Sequence, residues 1–360
     1  MGQRIGSLVW FELEIRTGDS AFFRIVLRSR PVFIREKVSK ESVLKLPEEV
    51  RVGVDLSRHL PPSIIHLRPH EKFLASQRFE SYASTMNLEH NTYGKADVQV
   101  LKVFRQGERH SVRELSVSVR VEGSAFAMNY TASDNASCVP TDTIKNNVYA
   151  TAAEHLKDEA IELFAERLAD NYLRRYSVIE KVTVSIDETG WNRVNNHDHS
   201  FQQAGAVRHY CVVEADRKGM EVSSGLTGLT VLKTSGSGFV GFHECDRTVL
   251  KPTDDRLMAT TVTADWAFAS GSAYESARDK VVDCFLTVFS EEFSPSVQRT
   301  LYRVGEEVLG AVPEIAAITM SLPNEHYFPV DLERIGAKSN GTLFYPSKSP
   351  FGDIEATVTR

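Results

Sequence analysis

Beyond residue 95, apolar and polar positions alternate with two different periods, and the order of those periods occurs twice. Leu115, Val117, Val119 and Val121 alternate with Glu114, Ser116, Ser118 and Arg120, which predicts a strand with one face on a core. Val98 to Val103 predicts its less regular partner. Thr141-Asp142-Thr143 then offers caps for a helix, and Ile161, Phe164, Leu168 and Tyr172 recur at steps of three, four and four, one face of a second helix. Strands resume at Val182 to Ile186 and at His209 to Val213.

The second copy opens with strands at Leu229 to Leu232 and Met258 to Ala264. It continues with one helix through Val281, Cys284, Phe285 and Val288, and another through Val297, Leu301, Val304 and Val308. It closes with strands at Met320 to Val330 and Ile354 to Val358. Two ββααββ units predict an α+β protein in which each antiparallel sheet carries both helices on one face. Residues 86–225 form the first unit and 226–360 the second. Such sheets end in open edges, so association into a closed, barrel-like oligomer is expected.

The strand from Met320 to Val330 stands out. Met320, Leu322, Asn324, His326, Phe328 and Val330 share one face in an unbroken strand, which sets an amide and an imidazole among apolar neighbours. Unpaired there, each would cost on the order of 1–3 kcal/mol, so either buried groups of the fold or a ligand must meet them.

Residues 1–85 differ in kind. They carry 14 Lys and Arg against 10 Asp and Glu, a balance of +4, which leaves −10 for the rest of a chain whose total is −6. With no clean strand or helix period, this part is expected to be an extension that is accessory or poorly ordered, with Met86 as an alternative start. The net charge and the pI near 6.0 argue against nucleic acid as the main partner. No apolar run of about 18 residues predicts a membrane span, and no secretory signal opens the chain. Cys138, Cys211, Cys245 and Cys284 lie far apart, as free thiols of a reducing compartment do.

Several segments strongly resemble urate oxidases, which are built from tandem repeats of the tunnelling fold, or T-fold. They are Tyr93-Gly94-Lys95, Thr141 to Asn146, Gly228 to Lys233, Gly241-Phe242, Asp255-Arg256, Ser296-Val297-Gln298, and Ser321 to Asn324 with His326 and Phe328. They occur in family order over roughly 91–360. The resemblance implies that Arg256 and Gln298 grip a planar purine anion while Phe239 stacks on it and Leu250 packs nearby. A guanidinium paired with a side-chain amide suits such an edge. Ser294 before Pro295 independently predicts a helix start there, whose free N–H groups, including that of Val297, suit an anion.

By the same resemblance, Lys95, Thr141 and His326 form a proton relay, Asn324 and Thr141 hold dioxygen, and Asp142 adds a backbone contact. The implied reaction converts urate, dioxygen and water to 5-hydroxyisourate and hydrogen peroxide. No metal or other cofactor is implied, since deprotonated urate is itself the electron donor. A homotetramer is implied whose sites draw Lys95 and Thr141 from one chain and Phe239, Arg256, Gln298, Asn324 and His326 from its neighbour.

Other signals point elsewhere. His197 and His199 have the spacing of two metal ligands on one strand face, although His199-Ser200-Phe201 also matches a structural element of the family. The glycine-rich Thr234 to Gly238 follows a turn pattern and lacks a phosphate-loop ending. Glu325 stands where lysine is common in the family, on the opposite strand face from Asn324 and His326. The ending at Arg360 carries no Ser-Lys-Leu-type address, which leads to the expectation of a cytoplasmic setting. The alternatives are a T-fold enzyme acting on a pterin or purine and a non-catalytic purine-binding protein.

Overall fold

A strand with one buried face needs partners on both edges and a cover over that face. The computed structural model describes residues 87–269 and 273–360, together with the strands β1 (Trp10–Thr17) and β2 (Ala21–Arg28). These two strands pair antiparallel, Trp10 opposite Arg28 and Thr17 opposite Ala21. Residues 1–85, expected to be an accessory or poorly ordered extension with no clean period, therefore contain a hairpin. Phe11, Leu13 and Ile15 alternate with Glu12, Glu14 and Arg16, a period of two that the scattered arginines obscure. The rest of the expected extension lies outside the described residues.

The first repeat contains β3 (Tyr93–Gln106), β4 (Arg109–Glu122), α1 (Ala127–Thr131), α2 (Thr141–His155), α3 (Ile161–Arg175) and β5 (Lys181–Thr189). It continues with β6 (Trp191–Arg193), β7 (Phe201–Gln203) and β8 (Arg208–Asp216). The second contains β9 (Met220–Lys233), β10 (Met258–Phe268), α4 (Tyr274–Glu291), α5 (Val297–Ala311) and β11 (Ile315–Ser321). It ends with β12 (Asn324–Pro329), β13 (Phe344–Gly352) and β14 (Glu355–Thr359). The antiparallel order β3-β4-β5-β8-β9-β10-β11-β14 makes one continuous sheet, joined at its middle by the β8–β9 hairpin. In both repeats the connection after the third long strand carries an extra hairpin, β6–β7 in the first and β12–β13 in the second.

Each repeat buries its own core. Leu115, Val117, Val119 and Val121 of β4 meet Ile161, Phe164, Leu168 and Tyr172 of α3 in one; Val262, Ala264 and Trp266 of β10 meet Val281, Phe285, Leu301 and Val304 in the other. The helical spacings of the sequence thus mark the buried faces.

One predicted strand is divided. The stretch from Met320 to Val330 forms the end of β11, a break at Leu322-Pro323, and then β12. Pro323 has no N–H to give a ladder, and the Leu322 N–H turns to Ile354 O at 2.8 Å. Strand β11 continues the main sheet, whereas β12 touches it through Ala259 opposite Glu325 and pairs with β13. No helix of the described residues is long and apolar enough to cross a membrane.

A matched pair of lysines betrays the repeat. Lys102 of β3 donates to Ala152 O, Ala153 O and Leu156 O at 2.8, 2.9 and 2.7 Å, closing the C-terminal end of α2. Lys233 of β9 donates to Phe289 O and Glu292 O at 3.1 and 2.8 Å, doing the same for α4. Terminal carbonyls carry the negative end of the helix dipole and otherwise lack partners. Lys102→Met should therefore lower unfolding free energy by about 1.5–3 kcal/mol while keeping the aliphatic stem. Urea unfolding checks it, and a loss below ~0.5 kcal/mol would mean that water serves those carbonyls equally well.

Candidate active site

The Tyr93-Gly94-Lys95 segment fixes the first group of candidate residues. A Cβ on Gly94 would stand 1.8 Å from Val119 O, so only glycine lets β3 and β4 approach there. Tyr93 accepts the Val139 N–H on its hydroxyl at 2.8 Å, holding the chain two residues before Thr141. Lys95 lies opposite Val119 beside a bulge, where the register breaks between Lys95 and Val98. Thr141 opens α2, but as its first helical residue; the cap position belongs to Pro140, and no side chain caps this end. The expected capping role is thus absent, and the Thr141 side chain is exposed. Asp142 accepts from Lys145 at 2.6 Å and from Asn146 at 2.9 Å. Those bonds, that of Lys145 foremost, hold its carboxyl below the usual range, with a smaller pull from Lys95.

The second group is built on the segment between β9 and β10. Gly236, at φ 78°, turns the chain as the glycine-rich pattern predicts. Gly236 O accepts from the Ser294 N–H, and Ser294 O from the Gly238 N–H, both at 2.9 Å, which ties this turn to the segment before α5. Phe239 then pairs with Thr253 through two backbone bonds of 2.8 and 3.1 Å. Phe242 stacks on the Phe239 ring at 5.1 Å and 14°, and the Arg256 guanidinium stands 5.4 Å from that ring's centroid. Leu250 lies in the same segment, 55% exposed.

Among the described residues, Arg256 has no ion pair. The adjacent Asp255 accepts instead from Ser235 Oγ at 2.7 Å and from the Gly236 N–H at 2.8 Å. The Arg256 N–H donates to Ser237 O at 2.7 Å, while its side-chain Nε is buried with no partner among the described residues. Burial holds this guanidinium below its ordinary pKa, with no carboxylate to offset it. A charged donor kept half-buried and unpaired costs stability unless something anionic meets it.

Asp255 follows as a positioning residue that sequence reasoning matched only as part of a motif. Asp255→Ala should free the turn and lower activity by roughly tenfold, the equivalent of one or two hydrogen bonds. Asp255→Asn, which keeps an acceptor for Gly236, should retain most of it. Steady-state kinetics of the two variants checks the difference.

The start of α5 lies two residues later than Ser294-Pro295 predicts. Ser296 is the cap, accepting the Arg299 N–H at 3.1 Å, and Val297 is the first helical residue. Ser294 is buried instead, with its hydroxyl against Thr300 Oγ1 and Met258 Sδ. The cap leaves the N–H groups of Val297 and Gln298 unclaimed by Ser296, with the Gln298 side chain exposed beside them. Asn324 and His326 lie half-buried on β12, and the His326 ring lies 5.6 Å from Phe328. Glu325 turns the other way, accepting from Thr261 Oγ1 at 2.6 Å; Thr261 is in turn bonded to Thr230 at 2.9 Å.

Among the described residues, no hydrogen bond, ion pair or ring contact joins Lys95, Thr141 and Asp142 to Phe239, Arg256, Gln298, Asn324 and His326. Phe242 was legible as the second aromatic of a Phe-x-x-Phe spacing, although its contact with Phe239 was not. His197 and His199 lie between β6 and β7, outside any strand, with rings edge to face at 4.5 Å. The expected strand-face geometry is therefore absent, because positive φ angles at Asn195 and Asn196 coil the chain there. No group of three or more His, Cys, Asp or Glu among the described residues is arranged to hold a metal ion.

Fold and site together define a tandem T-fold protein whose second repeat offers an aromatic ring and an unpaired guanidinium. The uricase family profile matches residues 91–214 and 222–355. The chain is 36% identical over 274 residues to a uricase of Arthrobacter globiformis, covering 76% of this chain and 90% of that protein. It is 35% identical over 277 residues to a uricase of Dictyostelium discoideum, covering 75% and 96%. The crystal structure of the Arthrobacter globiformis uricase superposes with a TM-score of 0.74 at 36% identity, covering 77% of this chain and 96% of that one. The chain belongs to the uricase family.

Proposed function

We propose that this protein is a urate oxidase, converting urate, dioxygen and water to 5-hydroxyisourate and hydrogen peroxide. The observation that carries the reading is Arg256, a desolvated guanidinium beside the Phe239 ring with no anionic partner among the described residues. A planar purine anion supplies both the missing charge and a surface for the ring. Gln298 adds an amide, and the free N–H groups at the start of α5 add a favourable dipole. Lys95, Thr141 and His326 pass protons from urate, Asn324 and Thr141 hold dioxygen, and Asp142 contributes a backbone contact. Electrons come from the urate dianion, so the reaction calls for no bound metal or organic cofactor.

The separation of the two residue groups within one chain supports sites completed between chains of a homotetramer. We read the two repeats, β3 to β8 and β9 to β14, as the units that meet there; the boundary expected between residues 225 and 226 falls inside β9. The test is direct: chelator-treated protein should bleach the urate ultraviolet band with matched oxygen uptake and peroxide release. Binding of urate without oxygen uptake would favour a non-catalytic purine-binding protein.

A further inference from the structure

The first repeat contains a cleft of about 480 Å³ that urate oxidation leaves unused. It gathers the start of β4, the approach to α3, the β5–β8 connection and, from the second repeat, the first turns of α4. In the other repeat, the corresponding elements are the approach to β10, the start of α5 and the β11–β14 connection, which carry Arg256, Gln298, Asn324 and His326. The counterpart of α4 is α2, which carries Thr141. The cleft thus stands where the two repeats of one chain meet, as the purine site stands where repeats of two chains meet. This correspondence rests on the urate oxidase reading; the chemistry of the cleft does not.

That chemistry is similar in kind. The Arg193 guanidinium lies 4.9 Å from the Phe201 ring centroid, close to the 5.4 Å of Arg256 and Phe239. Arg193 is fixed by the carbonyls of His197, Asp198 and His110 at 2.9, 2.8 and 2.6 Å. Trp191 supplies a second aromatic wall, held by its indole N–H donating to Glu114 at 2.8 Å. Arg113 is fully engaged by Glu188, Asp158 and Glu275 at 2.6, 3.4 and 3.1 Å, whereas Arg278 donates through Nε to Asp279 at 3.4 Å and has Glu188 at 3.7 Å.

The three guanidinium groups of the lining are met by Asp158 and Glu188 within it and by Glu275 and Asp279 behind Arg113 and Arg278, so the cleft has no surplus positive charge and suits an uncharged, polar ligand. His209 lines the same cleft, and its Nδ1 is buried with no partner among the described residues. Burial brings its pKa down to about 4, so it meets a ligand as a neutral imidazole able to donate or accept. The volume lies in the range of small-molecule sites, about 300–1,000 Å³.

We propose that this cleft is a second binding site for a planar, uncharged heterocycle of purine size, walled by Trp191 and Phe201, with Arg278 as a donor at its edge and His209 as a hydrogen-bond partner.

Calorimetric titration of the full chain with xanthine, a planar purine probe, under anaerobic conditions tests this. The expected result is two sites per chain, of which Arg256→Ala removes one. In that background Gly205→Leu should abolish the remaining site. Gly205 lines the cleft, and a Cβ there meets nothing within 4 Å, so the leucine enters open space. Arg278→Gln should weaken the same site by roughly tenfold through loss of a charged donor. Gly205→Leu alone should oxidise urate at the unmodified rate, which serves as the folding control; if it does not, Arg278→Gln carries the test. A single site per chain that Arg256→Ala abolishes would overturn the cleft, as would a residual site indifferent to both cleft variants. Two sites that both survive Arg256→Ala, with Gly205→Leu removing one, would sink the purine-site assignment and sustain the cleft.

Discussion

Arg256→Ala lowers kcat/KM for urate by on the order of 30- to 4,000-fold and leaves the melting temperature unchanged or slightly higher. The first figure is the loss of about 2–5 kcal/mol that follows when one partner of a desolvated, hydrogen-bonded charge pair is truncated. The second follows from the unliganded protein, in which the Arg256 side chain has neither ion pair nor partner for its buried Nε among the described residues. Removing it takes away a desolvation cost, offset only by the contact with the Phe239 ring, and no hydrogen bond or ion pair of its side chain among the described residues. Arg256→Lys keeps the charge but lacks the planar fork, so it should recover only part of the activity. Kinetics with a thermal melt on the same samples check both halves. Activity within ~3-fold of the unmodified chain would remove Arg256 from substrate binding. A melting temperature lowered by several degrees would show instead that it holds the fold.

How far the sequence could lead to this site depended on the range of the forces involved. Helix faces such as Ile161, Phe164, Leu168 and Tyr172 were legible because a period is a local property and burial follows it. Repeat order was legible for the same reason. The join between repeats was not, since β8–β9 pairing depends on the turn and on the faces of both strands. The single strand expected from Met320 to Val330 failed at Pro323, where a missing N–H outweighs a continuous alternation. Ser294-Pro295 has the composition of a helix start, but Ser294 is drawn into the core by Thr300 and Met258, and Ser296 takes over. Motifs located Arg256, yet nothing local revealed that Asp255 would turn to Ser235 and leave the arginine unpaired. Whether an acidic neighbour becomes a partner is settled by the turn around it.

Mixing two inactive variants should restore about a quarter of the unmodified activity, if each site is completed by two chains. Lys95→Ala disables the half-site of the first repeat, and Arg256→Ala that of the second. In a random equal co-assembly, a site draws an intact Lys95 half from an Arg256→Ala chain in half of the cases. It independently draws an intact Arg256 half from a Lys95→Ala chain in half, so roughly one site in four is whole. The structure motivates the experiment, because no hydrogen bond, ion pair or ring contact among the described residues links Lys95 or Thr141 with Arg256, Gln298 or His326 in one chain. Chains should be unfolded and refolded together, with separately refolded and then mixed chains as the control. Recovery in the first case and none in the second identifies shared sites. A co-refolded mixture as inactive as its parents would mean that Lys95 and Arg256 serve the same site from one chain, and the lysine would then have to reach the second repeat by a movement absent from this fold.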